Sequence, residues 1–91
     1  VVLEDYANLL MMITTVSGSI MSLVYLPQIY KIWKRKSVED ISIVFFLILF
    51  VGMIIWLMYG LSINNIPLIA ANIISIIGTG VIIFLYFRYK R

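Results

Sequence analysis

ISIVFFLILFVGMIIWLMYGLSINNIPLIAANIISIIGTGVIIFLYF, residues 41–87, contains no charged side chain. As one helix rising about 1.5 Å per residue it would be about 70 Å long, more than twice the roughly 30 Å of a bilayer's hydrocarbon core. The run must therefore fold back once. Its turn chemistry is confined to Ser62, Asn64, Asn65 and Pro67, where the paired Asn favours a turn and Pro67 suits a first helical turn. This predicts one span at about 41–62 and another at about 66–88. Upstream, no charge occurs between Tyr6 and Tyr30, giving a first span at about 6–32. A polar connection carrying Lys31, Lys34, Arg35, Lys36, Glu39 and Asp40 follows it.

Composition agrees with three crossings in one domain covering residues 1–91: 64% of the residues are hydrophobic, 12% are charged, and mean hydropathy is +1.12. Soluble domains carry about 25% charged residues, so a soluble fold is excluded. The fold class is all-α, a three-helix membrane protein. Glu4 and Asp5 stand where a signal peptide would be basic, and the apolar run behind them is too long for one.

The chain has neither cysteine nor histidine. Disulfides, thiolate metal sites, zinc motifs and Ser/His triads are thereby excluded, and the expectation is a non-enzyme without metal or cofactor. The net charge of +3 comes from two basic clusters beside apolar segments, which is the pattern of membrane-flanking charge and not of a nucleic-acid surface. All seven basic residues, Lys31, Lys34, Arg35, Lys36, Arg88, Lys90 and Arg91, fall on one side of the three spans. The positive-inside rule then puts the first loop and the C-terminus in the cytoplasm, and the N-terminus and the Asn64/Asn65 turn outside. Asp40, just ahead of the second span, is a candidate helix cap.

No Asp, Glu, Lys or Arg lies within a span, which argues against coupling to protons or sodium. The polar and aromatic residues left at membrane depth are chiefly Gln28, Trp56, Tyr59, Asn72, Ser75 and Thr79. Asn72 cannot face lipid unpartnered, so it faces a neighbouring helix, as interhelical glue, or a wet cavity. A Trp alone is commonly an interfacial anchor, but Trp56 is 15 residues in from Ile41 and Asn72 is 15 residues from Phe87. Both therefore lie about 22 Å from the cytoplasmic end and share a level inside the hydrocarbon. An indole face and an amide at one depth suit a pyranose, with its apolar C–H face and rim of hydroxyls. Pro27 removes the hydrogen bond to the Leu23 carbonyl and kinks the first span, and Gln28 beside it is placed to satisfy freed backbone groups. Gly18 with Ser22, and Ala71 with Ser75 and Thr79, recur at i, i+4 as in close helix packing.

Four landmarks in order carry a family resemblance: Leu26-Pro27-Gln28 before a basic stretch, Lys36-Ser37 with Ile41-Ser42, Trp56-Leu57-Met58-Tyr59-Gly60, and Pro67-Leu68-Ile69-Ala70-Ala71-Asn72. From about residue 14 onward the chain resembles the bacterial SemiSWEET transporters of the PQ-loop superfamily. The resemblance implies a bundle in helix order 1-3-2, paired with a parallel copy as a homodimer, that moves mono- or disaccharides down their gradient by alternating access. It puts the substrate-binding residues at Trp56 and Asn72, the hinge at Pro27 and Gln28, the inner gate at Tyr25 and the outer gate at Tyr59. Where relatives often carry an Arg and an Asp after the outer-gate Tyr, this chain has Ile63 and Asn65, and an often-found Ser is Val24. These departures imply an outer gate without an ion pair and a less polar pocket.

Three helices cannot alone surround a sugar-sized path, so the functional unit is at least a dimer. The function expected is passive sugar uniport across a bacterial inner membrane, with the sugar, the bilayer and a second copy as partners. Two alternatives make different demands. A non-transporting accessory subunit would use its polar residues only as glue, and a PQ-loop carrier of amino acids would need a buried ionic group.

Overall fold

The computed structural model describes residues 2–90; Val1 and Arg91, the last of the basic residues counted above, lie outside them. After a 3₁₀ turn at Val2–Tyr6 come four helices, α1 (Ala7–Ser22), α2 (Tyr25–Arg35), α3 (Ile43–Ser62) and α4 (Ile66–Tyr89). α1 and α2 form one broken pass, so three passes are long and apolar enough to cross a membrane. This is an integral membrane protein of the all-α class.

α4 is the middle helix. It packs against α1, α2 and α3, in the order 1-3-2 by pass. A row of three helices with axes 8–10 Å apart and Cα radius about 2.3 Å should be roughly 21–25 Å wide. The Cα extents of 55 × 23 × 15 Å fit such a row with a bend in it. The first pass, α1 with α2, runs parallel to α4, since Gly18 lies against Ala71 and Tyr25 against Gly78. α3 and α4 are antiparallel, with Gly60 against Leu68 and Phe50 against Gly80.

Small residues at spacing i, i+4 let α4 sit this close. Ser75 and Thr79 are buried, Thr79 completely, and the Thr79 hydroxyl donates to the Ser75 carbonyl at 2.8 Å. Ser22 Oγ reaches the Ala71 carbonyl at 3.0 Å and its own Gly18 carbonyl at 2.7 Å, a hydrogen bond that ties α1 to α4 inside the hydrocarbon. The apolar core of Ile32, Val38, Phe46, Ile82 and Leu85 lies at the basic end of the bundle.

The α3–α4 turn takes two residues and closes both helices. Asn64 adopts a left-handed conformation with φ 53°, one that Asn tolerates better than other side chains. The Asn65 amide then donates to the Gly60 carbonyl at 2.9 Å and the Asn64 amide to Leu61 at 3.4 Å, the two bonds of a Schellman ending. Asn65 also starts α4: its side chain accepts from the Leu68 amide at 3.2 Å, and Pro67 occupies the first turn. Asn65 thus closes α3 through its backbone amide and opens α4 through its side chain.

Two local expectations are corrected. The cap of α3 is Ser42, whose hydroxyl accepts from the Phe45 amide at 3.3 Å, and not Asp40, which lies a residue too early to reach the first turn. At the break in the first pass, the carbonyl that Pro27 deprives of a partner is satisfied by the backbone. The Leu26 amide donates to Leu23 at 3.0 Å, while Leu23 and Val24 make tight bonds back to Ile20 and Met21. The chain passes through two residues of turn, and Pro27 sits in the first turn of α2, where a missing N–H costs nothing. Gln28 is left without a hydrogen bond among the described residues.

Candidate functional site

α3 has three faces, set by the 3.6-residue period. Phe46, Phe50, Met53, Leu57 and Gly60 turn toward the bundle and are buried or half-buried. Val44, Ile48, Val51, Ile55 and Met58 form a purely aliphatic exposed face, which suits lipid tails. Phe45, Gly52, Trp56 and Tyr59 lie along a third face, where the exposed residues are aromatic. Trp56 is 58% exposed and Tyr59 is 54% exposed. Their rings meet edge to face at 6.2 Å and 90°, and with Ile55 they line an open hollow of about 440 Å³. Neither the indole N–H nor the Tyr59 hydroxyl has a hydrogen-bond partner among the described residues.

The Gly60–Leu68 approach fixes the level of the other candidate. A Cβ on Gly60 would come within 3.3 Å of Leu68 Cγ, so these two residues are opposite each other. Trp56 lies one turn before Gly60 and Asn72 one turn after Leu68 on an antiparallel neighbour, so the two share a depth. Asn72 is half-buried, and its Nδ2 donates to the Leu68 carbonyl of its own helix at 2.7 Å. That bond holds the amide and leaves Oδ1 and the second N–H uncommitted among the described residues. Within the chain Asn72 is therefore no interhelical glue; Ser22 has that part.

The remaining candidates lie nearer the basic end. Tyr25 opens α2 immediately after the break and lays its ring over Gly78, where an added Cβ would come 3.0 Å from Tyr25 Cβ. It lines an apolar groove of about 350 Å³ with Ser22, Leu26 and Val81. Pro27 follows in the same turn. Gln28 looks into a separate polar groove of about 330 Å³ between α2 and the start of α3, shared with Lys31, Arg35, Asp40, Ser42 and Phe45. The structure thus brings Trp56, Tyr59 and Asn72 to one level and keeps Tyr25, Pro27 and Gln28 below them. Gly52 lies on the Trp56 face, and a Cβ there would meet nothing within 4 Å.

Comparison with known proteins supplies a family. Residues 8–69 match the PQ loop repeat. A protein from Bradyrhizobium diazoefficiens named sugar transporter SemiSWEET is 40% identical over 65 residues, 71% of this chain and 76% of that one. Another of that name, from Leptospira biflexa, is 28% identical over 60 residues, 66% and 71% of the two chains. The crystal structure of a bacterial homologue of SWEET transporters matches with a TM-score of 0.84 at 40% identity, over 89% of this chain and 98% of that one. A matched repeat that takes in the Pro27 break and Trp56, and a shared backbone through α4, make this chain a SemiSWEET-type member of the PQ-loop family.

Proposed function

We propose that this chain is half of a passive sugar transporter. Two parallel copies enclose a path on which Trp56 and Asn72 of each bind a mono- or disaccharide, reached alternately from either side. The observation that carries this reading is Trp56, an indole 58% exposed on an aromatic face, at the depth of an Asn with a free acceptor. A pyranose offers what both need, C–H groups for the ring face and hydroxyls for the amide. An aromatic ring facing lipid alone would gain nothing from an amide at its level. Relatives named as sugar transporters support the substrate class.

A bent row 23 Å by 15 Å across has no room for a sugar between its own helices, so the path needs a second copy. Because no Asp, Glu, Lys, Arg or His lies between Tyr6 and Tyr30 or Ile41 and Phe87, the spans hold none of the charged side chains that couple a solute to protons or sodium, and transport is downhill. The break ahead of Pro27 and Gln28 acts as the hinge, Tyr25 closes the inner side and Tyr59 the outer. The basic loop and C-terminus lie in the cytoplasm, the N-terminus outside, and the membrane is the bacterial inner membrane.

Uptake of radiolabelled glucose and sucrose into proteoliposomes containing only this protein tests the proposal. Saturable uptake that equilibrates without accumulating is expected. Absence of uptake across a panel of mono- and disaccharides, from protein that is folded and dimeric, would overturn it.

A further inference from the structure

Of the basic side chains among the described residues, three rest on aromatic rings. Lys34 Nζ lies 5.7 Å from the centre of the Tyr30 ring, Arg88 Cζ 5.7 Å from that of Tyr89, and Lys90 Nζ 4.8 Å from that of Phe87. Lys31, Arg35 and Lys36 have neither a ring nor an ion pair among the described residues. Lys31 and Arg35 moreover stand at i, i+4 on one flank of α2, where like charges repel. Membrane topology does not require this. The positive-inside rule counts basic residues near the ends of spans and is indifferent to the helix face they take, so the neighbouring Lys34 satisfies it as well.

The two cations share with Gln28 the polar groove of about 330 Å³ between α2 and the start of α3. Asp40 supplies its one carboxylate, so the groove of each copy keeps one positive charge in excess. Its far wall is the beginning of α3, a helix of 20 residues whose first amides, at Ile43 and Val44, have no partner within the helix and add the positive end of its dipole. Gln28, which makes no hydrogen bond among the described residues, and the Ser42 hydroxyl add neutral polar groups. An anion that carries hydroxyls matches this set. Phe45 decides where such an anion comes from: it lines the groove and belongs to the face of α3 that carries Trp56, not to the aliphatic face of Val44, Ile48 and Val51 along which the acyl chains of a lipid would lie. The groove is thus the basic mouth of the path that passes Trp56. Phe45 precedes Trp56 by three helical turns, about 16 Å, too far for one hexose to occupy both places.

We propose that this groove binds a phosphorylated sugar, its phosphoryl group at Lys31 and Arg35 and its hydroxyls at Gln28 and Ser42, and that occupation of the mouth slows the passage of free sugar. The charge-free spans offer a phosphoryl group no partner inside the membrane, so the phosphorylated sugar is held at the mouth and not carried. This inference rests on the sugar-transport reading above and adds to it a regulatory ligand and the residues that recognise it.

Calorimetric titration of the full chain in detergent with glucose 6-phosphate and with inorganic phosphate tests it, for the parent, Lys31→Gln, Arg35→Gln and the control Lys34→Gln, which loses the same charge outside the groove. Uptake of labelled glucose and sucrose by proteoliposomes, with and without glucose 6-phosphate on both faces, is read as inhibition relative to each protein's own rate. The parent is expected to bind glucose 6-phosphate at least tenfold more tightly than inorganic phosphate, and its uptake should fall at least fivefold when the site is filled. Lys31→Gln and Arg35→Gln should each raise that Kd at least fivefold and relieve the inhibition, while Lys34→Gln should change Kd by less than about twofold. Equal weakening in all three variants would assign the effect to net charge and overturn the site, as would glucose 6-phosphate bound no better than inorganic phosphate. Thermal stabilisation by phosphatidylglycerol that is lost in the two groove variants and kept in Lys34→Gln would assign the groove to a lipid headgroup and likewise overturn it. A parent that takes up sugar but does not bind glucose 6-phosphate overturns the site and leaves the transport reading standing, whereas one that takes up neither sugar overturns both.

Discussion

Replacing Asn72 with alanine separates a binding residue from a structural one, because the structure gives opposite signs to the two effects. Among the described residues the only hydrogen bond of the Asn72 side chain is local, Nδ2 to the Leu68 carbonyl of the same helix at 2.7 Å. That carbonyl lies within α4 and keeps its backbone partner when the amide is removed. Alanine also has the higher helix propensity, by up to about 0.7 kcal/mol. Thermal stability should therefore hold or rise slightly, where loss of true interhelical glue would lower it by about 1 kcal/mol. On the ligand side, each copy loses the acceptor Oδ1, and a neutral hydrogen bond contributes about 0.5–1.5 kcal/mol. Two symmetric losses give about 1–3 kcal/mol, or a Kd raised roughly 5- to 150-fold. Trp56→Ala removes a ring 58% exposed, and with it the edge-to-face contact with Tyr59, worth about 0.5–1.5 kcal/mol. Calorimetric titration with glucose and sucrose, paired with thermal denaturation in detergent, reads both quantities. If Asn72→Ala and Trp56→Ala bind sugar within twofold of the parent, or if affinity falls only in step with the folded fraction, the pocket assignment is wrong.

Other outcomes follow from the same coordinates. Gly78→Ala puts a Cβ 3.0 Å from Tyr25 Cβ, an atom too near the backbone to swing aside, and should destabilise the fold by about 1–3 kcal/mol in thermal or denaturant unfolding; unchanged stability would mean that Tyr25 does not rest on α4. A cysteine introduced at Ser37 should resist an impermeant thiol reagent added to intact cells and react after permeabilisation, and labelling from outside would invert the topology. Sugar flux should vary little between about pH 5 and 8, since the membrane segments hold none of the groups that ordinarily titrate there, and uphill accumulation driven by an imposed proton gradient would contradict uniport.

Much of the fold could be read from charge alone. A carboxylate or ammonium at the bilayer centre is so costly that charge-free runs mark the crossings, and the turn residues Asn64, Asn65 and Pro67 could only break the second run where they do. The shared level of Trp56 and Asn72 was also legible, because helical rise converts residue counts into depth. Hidden features were those decided by one hydrogen bond or one rotation. Asp40 and Ser42 are both good caps, and only the path of the loop chooses Ser42. Proline's effect on the first pass was visible in sequence, but relief of the orphaned Leu23 carbonyl by the Leu26 amide, and not by Gln28, depends on the chain tightening into a turn. Sequence left Asn72 open between a neighbouring helix and a wet cavity, because it cannot show an amide folding back on a carbonyl of its own helix.

The distribution of buried residues bears on how such a chain can move. Its apolar core lies among α2, the loop residue Val38, the start of α3 and the last turns of α4, toward the basic end. From Leu3 to Thr14 every side chain of the first pass is exposed, and further along the points of close approach to α4 are Gly18 on Ala71 and the Ser22 hydroxyl on the Ala71 carbonyl. The two ends therefore differ in their packing: one has a core of interlocked buried side chains, while at the other the helices meet through small residues such as Gly18 on Ala71, with the Ser22 tie just before the backbone break. Packed cores move as units, whereas a break whose amides are already in tight turn bonds can absorb a change of angle at small cost. A rotation at Leu23–Val24 would swing the outer half of the first pass against Asn72 and Trp56 without disturbing Ile32, Phe46 or Ile82. Because the Ser22 hydroxyl donates to the Ala71 carbonyl of α4, such a rotation would have to loosen or break that tie. On the proposed reading, access to the site from the end away from the basic loop can thus change while the core at the basic end stays assembled, which is one half of what alternating access requires.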